Sequence, residues 1–446
     1  MRVVLVAHEV PNTQHNAIGY VFRSLIGQLL ESGHHVSCCF LIGEGPSESE
    51  QELRRRLDAV EALGVDVIAL SNAVTPPQLK WHEIIMRLLL RPNLADLYPW
   101  VAWAPHVERA LAGTKPDVLF IFETYQGLAA THGLTMAPRV ALFGDPYHLP
   151  ALYREQMHRG REPRSPRALA RAMIERNRLK AMRQLLSGLD GGGAVAAHFV
   201  PWFRDNGFTN CRYLRNAVPD LGGPAWRARR EAAPRPTKPK ILLVGHKRGT
   251  ATLAGLSLFA EVTLPILEER LGLEGFEVHV IGRYEPPADV AKKLARPSVR
   301  LRDFVEDIET EFLTADVFLV PTPIELGIRT RIIFGWSFGC CVIAHQVSAL
   351  GIPEMRHEEN ALLAQDGAGL AEAILRALGD PALRQRLGEG GRQTYEQWFT
   401  PAVAGGRMVE ELERAVRARG GQAHRPSRGA GVDVAPVVEV VEACRS

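Results

Sequence analysis

The chain has 446 residues, 46% apolar and 23% charged, with a net charge of +3. One hydrophobic core stops growing near roughly 250–300 residues, so two domains are expected, and the balance is that of a soluble globular protein. The charge is too small to call for nucleic acid, and no run approaches the ~18 uninterrupted apolar residues of a membrane-spanning helix.

The opening RVVLVAH reads as a strand and not as a secretory leader, so a cytoplasmic protein is expected. Residues 18–30 follow as an amphipathic helix, SGHH as a turn and residues 36–42 as a second strand. A helix over 51–63 leads to a strand over 65–70, and further strands are expected at 117–122, 139–143 and 193–197. Alternation of this kind implies βαβ units and a parallel sheet buried on both faces. Residues 221–240 (LGGPAWRARREAAPRPTKPK) offer little to bury and read as a linker. Strands at 241–244, 277–281, 299–301, 317–320 and 341–344 then alternate with helices at 252–270, 330–338 and 369–378. Two αβ halves joined by a linker make a bilobed molecule, and ligands of open α/β sheets sit beyond the carboxyl ends of the strands. Residues 420–446, rich in Gly, Ala and Val, read as a poorly ordered tail. The six cysteines show no zinc spacing, and the adjacent pairs Cys38/Cys39 and Cys340/Cys341 read as buried free thiols.

Chemistry concentrates in ADVFLVPTPIELGIRTRIIFGWSFGCCVIAHQVSALGIPE, residues 315–354. A buried strand ends in a Pro-containing loop that turns into a helix near Thr330. The unpaired N–H groups of that helix start, with Arg329 and Arg331 beside it, form an anion site suited to a phosphate or diphosphate. Glu325, on the loop just before, can accept hydrogen bonds from sugar hydroxyls. The alternative is a surface loop whose arginines pair with local acids.

These segments resemble the donor-binding signature of glycosyltransferase family 4 (group 1). ADVFLVPTPIE, GWSFG, CVIA and LGIPE follow the family's order, and SGHHV, YLRNAVPD, ILLVGHKRG, FEVHVIG and FTPAVAG match its other pieces across nearly all of residues 1–415. The resemblance implies an α/β protein of the GT-B fold, two Rossmann-like domains facing a central cleft. Their expected bounds are an acceptor-side domain over 1–220, a linker over 221–240, a nucleotide-sugar donor domain over 241–394, and a terminal helix over 395–416 that crosses back. It implies transfer of a hexose-type sugar from a nucleoside-diphosphate donor with retention at C1. No D-x-D of the kind metal-dependent transferases use lies between strands, so no catalytic metal and no cofactor is expected. The acceptor, whether glycan, lipid-linked intermediate, protein or small molecule, is left open.

Carried over position by position, Glu325 falls within one residue of the family glutamate that contacts the donor sugar. Gly327, Arg329, Thr330 and Arg331 fall where relatives face the donor diphosphate, with Lys247 and Arg248 on its opposite side. Gly19 falls in the first-domain glycine loop, where AIGY replaces a Gly-Gly pair. Asp145 and His148, in FGDPYH, fall near C1 and C6 of the sugar; a loop-capping Asp is the other reading. The second family glutamate, which holds the ribose, aligns with Phe334, and Glu354 and Glu358 are the nearest replacements. That departure keeps a second reading open, a degenerate transferase serving as a non-catalytic binding or partner subunit. His198 reads as a core or loop histidine. GWSFG lies at a helix end and leads into a strand, the reverse of a nucleophile elbow. The stretch 154–183 holds ten Arg or Lys against three Glu, either a solvated face or a surface for peripheral association with an anionic membrane. The apolar segment 81–103 reads either as core or as an interfacial helix pair.

Overall fold

The computed structural model describes residues 1–12, 17–42, 50–71, 93–158, 166–305 and 307–423. The first lobe holds β1 (Arg2–Ala7), β2 (His35–Ile42), β3 (Asp66–Ser71), β4 (Val118–Phe122), β5 (Arg139–Phe143), β6 (Gly191–Ala194) and β7 (Arg212–Tyr213), in the order β3-β2-β1-β4-β5-β6-β7. The second holds β8 (Lys240–Val244), β9 (Glu277–Ile281), β10 (Val299–Arg302), β11 (Val317–Val320), β12 (Val342–His345) and β13 (Leu362–Ala364), in the order β10-β9-β8-β11-β12-β13. Every pairing between these strands is parallel. In each lobe the strand order reverses at the first strand, the switch point where ligands of such sheets bind. β4 and β5 are buried at every residue, as strands covered on both faces must be. The α/β, two-lobed GT-B expectation is therefore met.

Several boundaries differ from the sequence reading. β6 begins at Gly191, because GGG has no apolar pattern to announce a strand, and β7 and β13 are too short to register. The helix Thr250–Leu271 is interrupted by a π turn at Phe259–Thr263. It is long and apolar enough to cross a membrane, and half of its most apolar window is buried in the protein. There Leu253, Leu256, Phe259, Leu264 and Leu267 fill the second-lobe core.

Residues 221–240 are more than a spacer. Trp226–Ala232 forms a helix fastened to the second lobe. Arg229 donates to Glu309 at 2.5 Å, Arg230 donates to the Phe312 and Ala315 carbonyls, and Trp226 covers Gly339. The arginines that suggested a solvated linker are those that pin it. Farther on, the helix Pro381–Trp398 leads through a π turn at Pro401–Gly405 into Gly406–Ala423, which packs against β4, β5 and β6 of the first lobe. Its Glu411 accepts from the Gly192 N–H at 3.2 Å.

The lobes are latched at this crossing. Arg392 makes a bidentate pair with Asp220 at 2.6 and 2.7 Å, and Tyr395 donates to the Val218 carbonyl. Arg215 lies between the Tyr213 and Trp398 rings and donates to Glu354 at 2.5 Å, which also accepts from the Tyr213 hydroxyl. Cys38, Cys39, Cys211, Cys340 and Cys341 are free and buried, as reduced thiols of a core. Cys444, the tail 424–446, residues 81–92 of the apolar segment and residues 159–165 of the basic stretch lie outside the described residues.

Candidate functional site

β11 is four buried residues, and the chain then leaves the sheet through Pro321–Ile328 to start the helix Thr330–Ser337. That helix has no side-chain cap among the described residues, which leaves the N–H groups of Thr330 and Arg331 open for a ligand. Thr330 is held from the interlobe segment by Asn216, whose Nδ2 donates to Thr330 Oγ1 at 3.3 Å, while the buried Asn216 Oδ1 has no partner among the described residues.

The first lobe meets this corner with Asp145, from the loop after β5. The Gly327 N–H faces its carboxylate, whose buried Oδ1 has no hydrogen-bond partner among the described residues, and Arg329 is the charge that opposes it. Gly327 has a left-handed φ of +64°, and a Cβ there would stand 3.2 Å from the Asp145 carboxylate and 3.3 Å from the Arg329 guanidinium. Glycine is required for both reasons. Burial pushes the Asp145 carboxyl up to about 6 against the pull of Arg329. Burial draws Arg329 down to about 10, so it remains a cation at neutral pH. Among the described residues the Arg329 side chain makes no hydrogen bond; the charge that faces it is Asp145.

His198, read from sequence as an ordinary core or loop residue, is brought to the same corner. Its ring lies against Leu350 and Gly351 of the second lobe, with Glu325 and Arg329 as the charges that reach it. Glu325 itself is exposed and lies by the Tyr153 hydroxyl of the helix Leu149–His158. Glu123, at the carboxyl end of β4, has its proton affinity raised to about 7 by burial and by Asp145. Sequence reasoning missed Glu123, Asn216 and Tyr153. Only Glu123 had a signal, since it directly follows the strand run VLFIF.

Other expected site residues go elsewhere. Lys247 is 0% exposed, and its Nζ donates to the Arg302 carbonyl at 2.9 Å, tying the loop after β8 to the end of β10. Arg248 is exposed and donates to the Glu285 carbonyl at 2.9 Å. Arg331 is turned into its own lobe. It donates to the Val244 carbonyl, Thr252 Oγ1 and Thr322 Oγ1 at 2.8–2.9 Å. Burial and then Arg329 draw it down to about 9. It lines a pocket with Val244, Gly245, Thr252 and Pro321 and braces the loop after β8, its guanidinium engaged by groups of its own lobe. His148 packs on Tyr147 and Trp202 of the first lobe, and the charge that reaches it is Glu175, so it is not gathered with Asp145 and Arg329. Gly19 is buried in the first turn of the helix Ala17–Glu31 and not in an open loop.

Phe334 is 7% exposed and meets Tyr20 of the first lobe edge-on at 5.5 Å. Its replacements are engaged: Glu354 in the latch, Glu358 with Arg376 and Arg386. Neither is free to grip a ribose. Ser337 is fully buried and donates to the Phe334 carbonyl, so GWSFG carries no nucleophile. Among the described residues no cluster of His, Cys, Asp and Glu could hold a metal ion.

Comparison with known proteins agrees with this architecture. Residues 238–380 match the family model "Glycosyl transferases group 1", which spans the second-lobe corner described above. A relative from Rhizobium meliloti (strain 1021), the lipopolysaccharide core biosynthesis glycosyltransferase LpsD, is 36% identical over 87 residues; the match spans 19% of this chain and 25% of that protein. Sucrose-phosphate synthase from Thermosynechococcus elongatus superposes with a TM-score of 0.65 at 17% identity, covering 94% of this chain and all of the other. The Anabaena protein HepE, solved with UDP and glucose, gives 0.61 at 12% identity, covering 93% and 99%. The chain is thus a GT-B-fold protein that resembles the glycosyltransferases of group 1, with the matched segment coinciding with its second lobe.

Proposed function

We propose that this chain is an enzyme that transfers a sugar from a nucleoside-diphosphate donor to a hydroxyl acceptor. The observation that carries the reading is the start of the helix Thr330–Ser337, without a side-chain cap among the described residues, with the Arg329 cation beside it facing Asp145 across the lobes. A diphosphate there takes the open N–H groups and the guanidinium, and its departure is stabilised by charges already in place. The Asp145 carboxylate and exposed Glu325 are placed to accept from sugar hydroxyls. The donor of HepE, UDP-glucose, is of the class proposed. Retention at C1 and a hexose as the group moved are parts of the proposal that rest on the family resemblance; independence of metal and a cytoplasmic location are proposed from the sequence reading.

The test is thermal shift with UDP, GDP, ADP and their sugar conjugates. One nucleoside diphosphate should raise the melting temperature, and Arg329→Ala should weaken its binding by about 1.5–3 kcal/mol, the value of a charge-assisted hydrogen bond. Unchanged affinity in Arg329→Ala would refute the placement. The ring of Phe334 on Tyr20 favours a second reading, a nucleotide-sugar binder without turnover. Binding without release of the diphosphate, for every donor tried, would put that reading first.

A further inference from the structure

We propose that His198 is a binding residue for the transferred sugar, its imidazole hydrogen-bonded to one hydroxyl of the pyranose that the donor carries. The inference rests on the donor reading above and adds a residue that selects among sugars.

His198 lies in the short turn Ala197–Phe199 that follows β6, at the carboxyl edge of the first sheet. The helix Val347–Gly351 of the second lobe packs on that turn. The contact is close. A Cβ added to Gly351 would stand 3.6 Å from His198 Cε1, 3.6 Å from Ala196 Cβ and 3.1 Å from the Gly327 carbonyl oxygen. A Cβ added to Gly327 would in turn stand 3.2 Å from both Asp145 carboxylate oxygens. His198 and Asp145 therefore approach the Gly327 loop together from the first lobe. Asn216 reaches the end of the same loop, its Nδ2 donating to Thr330 Oγ1 at 3.3 Å.

Buried polar atoms are left over at this corner. Asp145 Oδ1, both His198 ring nitrogens, Asn216 Oδ1 and Ser348 Oγ have no hydrogen-bond partner among the described residues. Ser348 precedes Gly351 by three residues, on the same face of its helix. The Leu350 main chain faces the imidazole without completing a hydrogen bond. Asn360, a buried amide elsewhere in the second lobe, shows the ordinary state. Its Oδ1 accepts from the Arg356 N–H, and its Nδ2 donates to the Glu354 carbonyl and to Thr394 Oγ1, all at 2.8 Å. Orphaned buried polar atoms are costly, so several converging on one corner point to a ligand that satisfies them.

The types of these atoms select its chemistry. At pH 7 Asp145 Oδ1 and Asn216 Oδ1 accept, while Ser348 Oγ both donates and accepts. Burial holds His198 below its ordinary 6.5, so its neutral ring donates from one nitrogen and accepts at the other. A phosphate only accepts and would leave both oxygens unpaired; an alkyl chain would satisfy none of the group. A polyol, each hydroxyl of which donates and accepts, matches all of them.

The test uses the full chain with His198→Phe and His198→Gln. Each is titrated calorimetrically with UDP, GDP, ADP, UDP-glucose, GDP-mannose and ADP-glucose, then with the deoxy-sugar analogues of the conjugate that binds the parent. The parent should lose about 3–10-fold in affinity when the hydroxyl read by His198 is missing. His198→Phe should bind the bare diphosphate within about twofold of the parent and the full conjugate about 3–10-fold more weakly, and should be indifferent to that same missing hydroxyl. His198→Gln, which restores a donor and an acceptor, should recover part of the loss. A deoxy penalty that persists in His198→Phe overturns the contact. Equal weakening of diphosphate and conjugate overturns it in favour of a packing role. A parent indifferent to every missing hydroxyl overturns it in favour of a buried water, and a parent that binds a diphosphate but none of the conjugates excludes the sugar from the corner. A parent that binds none of the three diphosphates sinks the donor reading itself, a distinguishable failure.

Discussion

Glu311 and Glu123 are opposite fates of one residue type. Glu311 is 7% exposed and ringed by cations: Lys240 at 2.6 Å, His279 Nδ1 at 2.8 Å, and Arg302. Burial would raise its proton affinity, but the hydrogen bonds from His279 and Lys240 outweigh it and hold the carboxyl down to about 2. A depressed acid stabilises the fold fully above its ordinary value of 4.5, and that stability disappears as pH falls toward 2. The urea midpoint should therefore drop steeply from pH 5 to 2 in the parent and less in Glu311→Gln. Glu311→Ala, which strands the buried Lys240, should cost about 3–5 kcal/mol at pH 7. Glu123 and Asp145, both raised, act with the other sign, because the folded state holds their protons longer. Their burden grows as pH rises from the ordinary carboxyl range toward 7. Phe334 makes a further case. Because its ring is packed on Tyr20, Phe334→Glu should lower the melting temperature with no gain in nucleotide affinity, a buried unpaired carboxylate being costly. Tighter nucleotide binding with the fold intact would instead identify a lost ribose contact. Residue types were legible in the sequence, and directions were not. Asp145 and Arg329 are brought to one corner, while Lys247 and Arg331 have side chains claimed by carbonyls and hydroxyls of their own lobe.

Among elements, long alternating runs announced themselves and short ones did not. β1, β4, β5 and β11 carry unbroken apolar runs, whereas β6 is three glycines and an alanine held by its neighbours. The helix Thr330–Ser337 is positioned by a close crossing with Pro381–Trp398, which no local pattern reveals. Trp336 is fully buried there and donates to the Asn360 carbonyl at 3.0 Å. Gly388 lies so near Gly339 that an added Cβ would overlap the Gly339 carbonyl oxygen. A helical Gly→Ala change gains up to about 1 kcal/mol in propensity. Overpacking against backbone costs about 1–3 kcal/mol. Gly388→Ala should therefore destabilise, and chemical denaturation will measure the net sign. Gly379→Ala, with nothing within 4 Å, is the control in which no overlap opposes the change.

At the scale of the molecule, the bilobed plan followed from the repeated alternation, but the fastening between lobes did not. Residues 221–240 looked like a spacer because Arg and Pro are common in loops; here Arg229 and Arg230 find carbonyls and a carboxylate on the second lobe. The interlobe contact is polar and aromatic, centred on Arg215 between Tyr213 and Trp398 with Glu354 as its partner. Arg215→Ala leaves Glu354, 8% exposed in its side chain, with only the Tyr213 hydroxyl. That variant should be cut faster by protease around residues 214–240 and show a larger radius of gyration in solution scattering, with both lobes still folded. Equal protease resistance would show that the Arg392–Asp220 pair alone suffices.

The Glu411 carboxylate on Gly192 is 219 residues away from it in sequence. As the chain leaves the ribosome, the first lobe emerges complete in strands yet lacks the helix Gly406–Ala423 that covers β4, β5 and β6. Leu412 and Ala415, both buried in the finished core, arrive last. The nascent first lobe must therefore wait, with part of its sheet uncovered, through the whole synthesis of the second. A fragment ending near residue 240 is expected to be captured by chaperones or to aggregate, and a separately supplied peptide of residues 399–423 to restore its solubility.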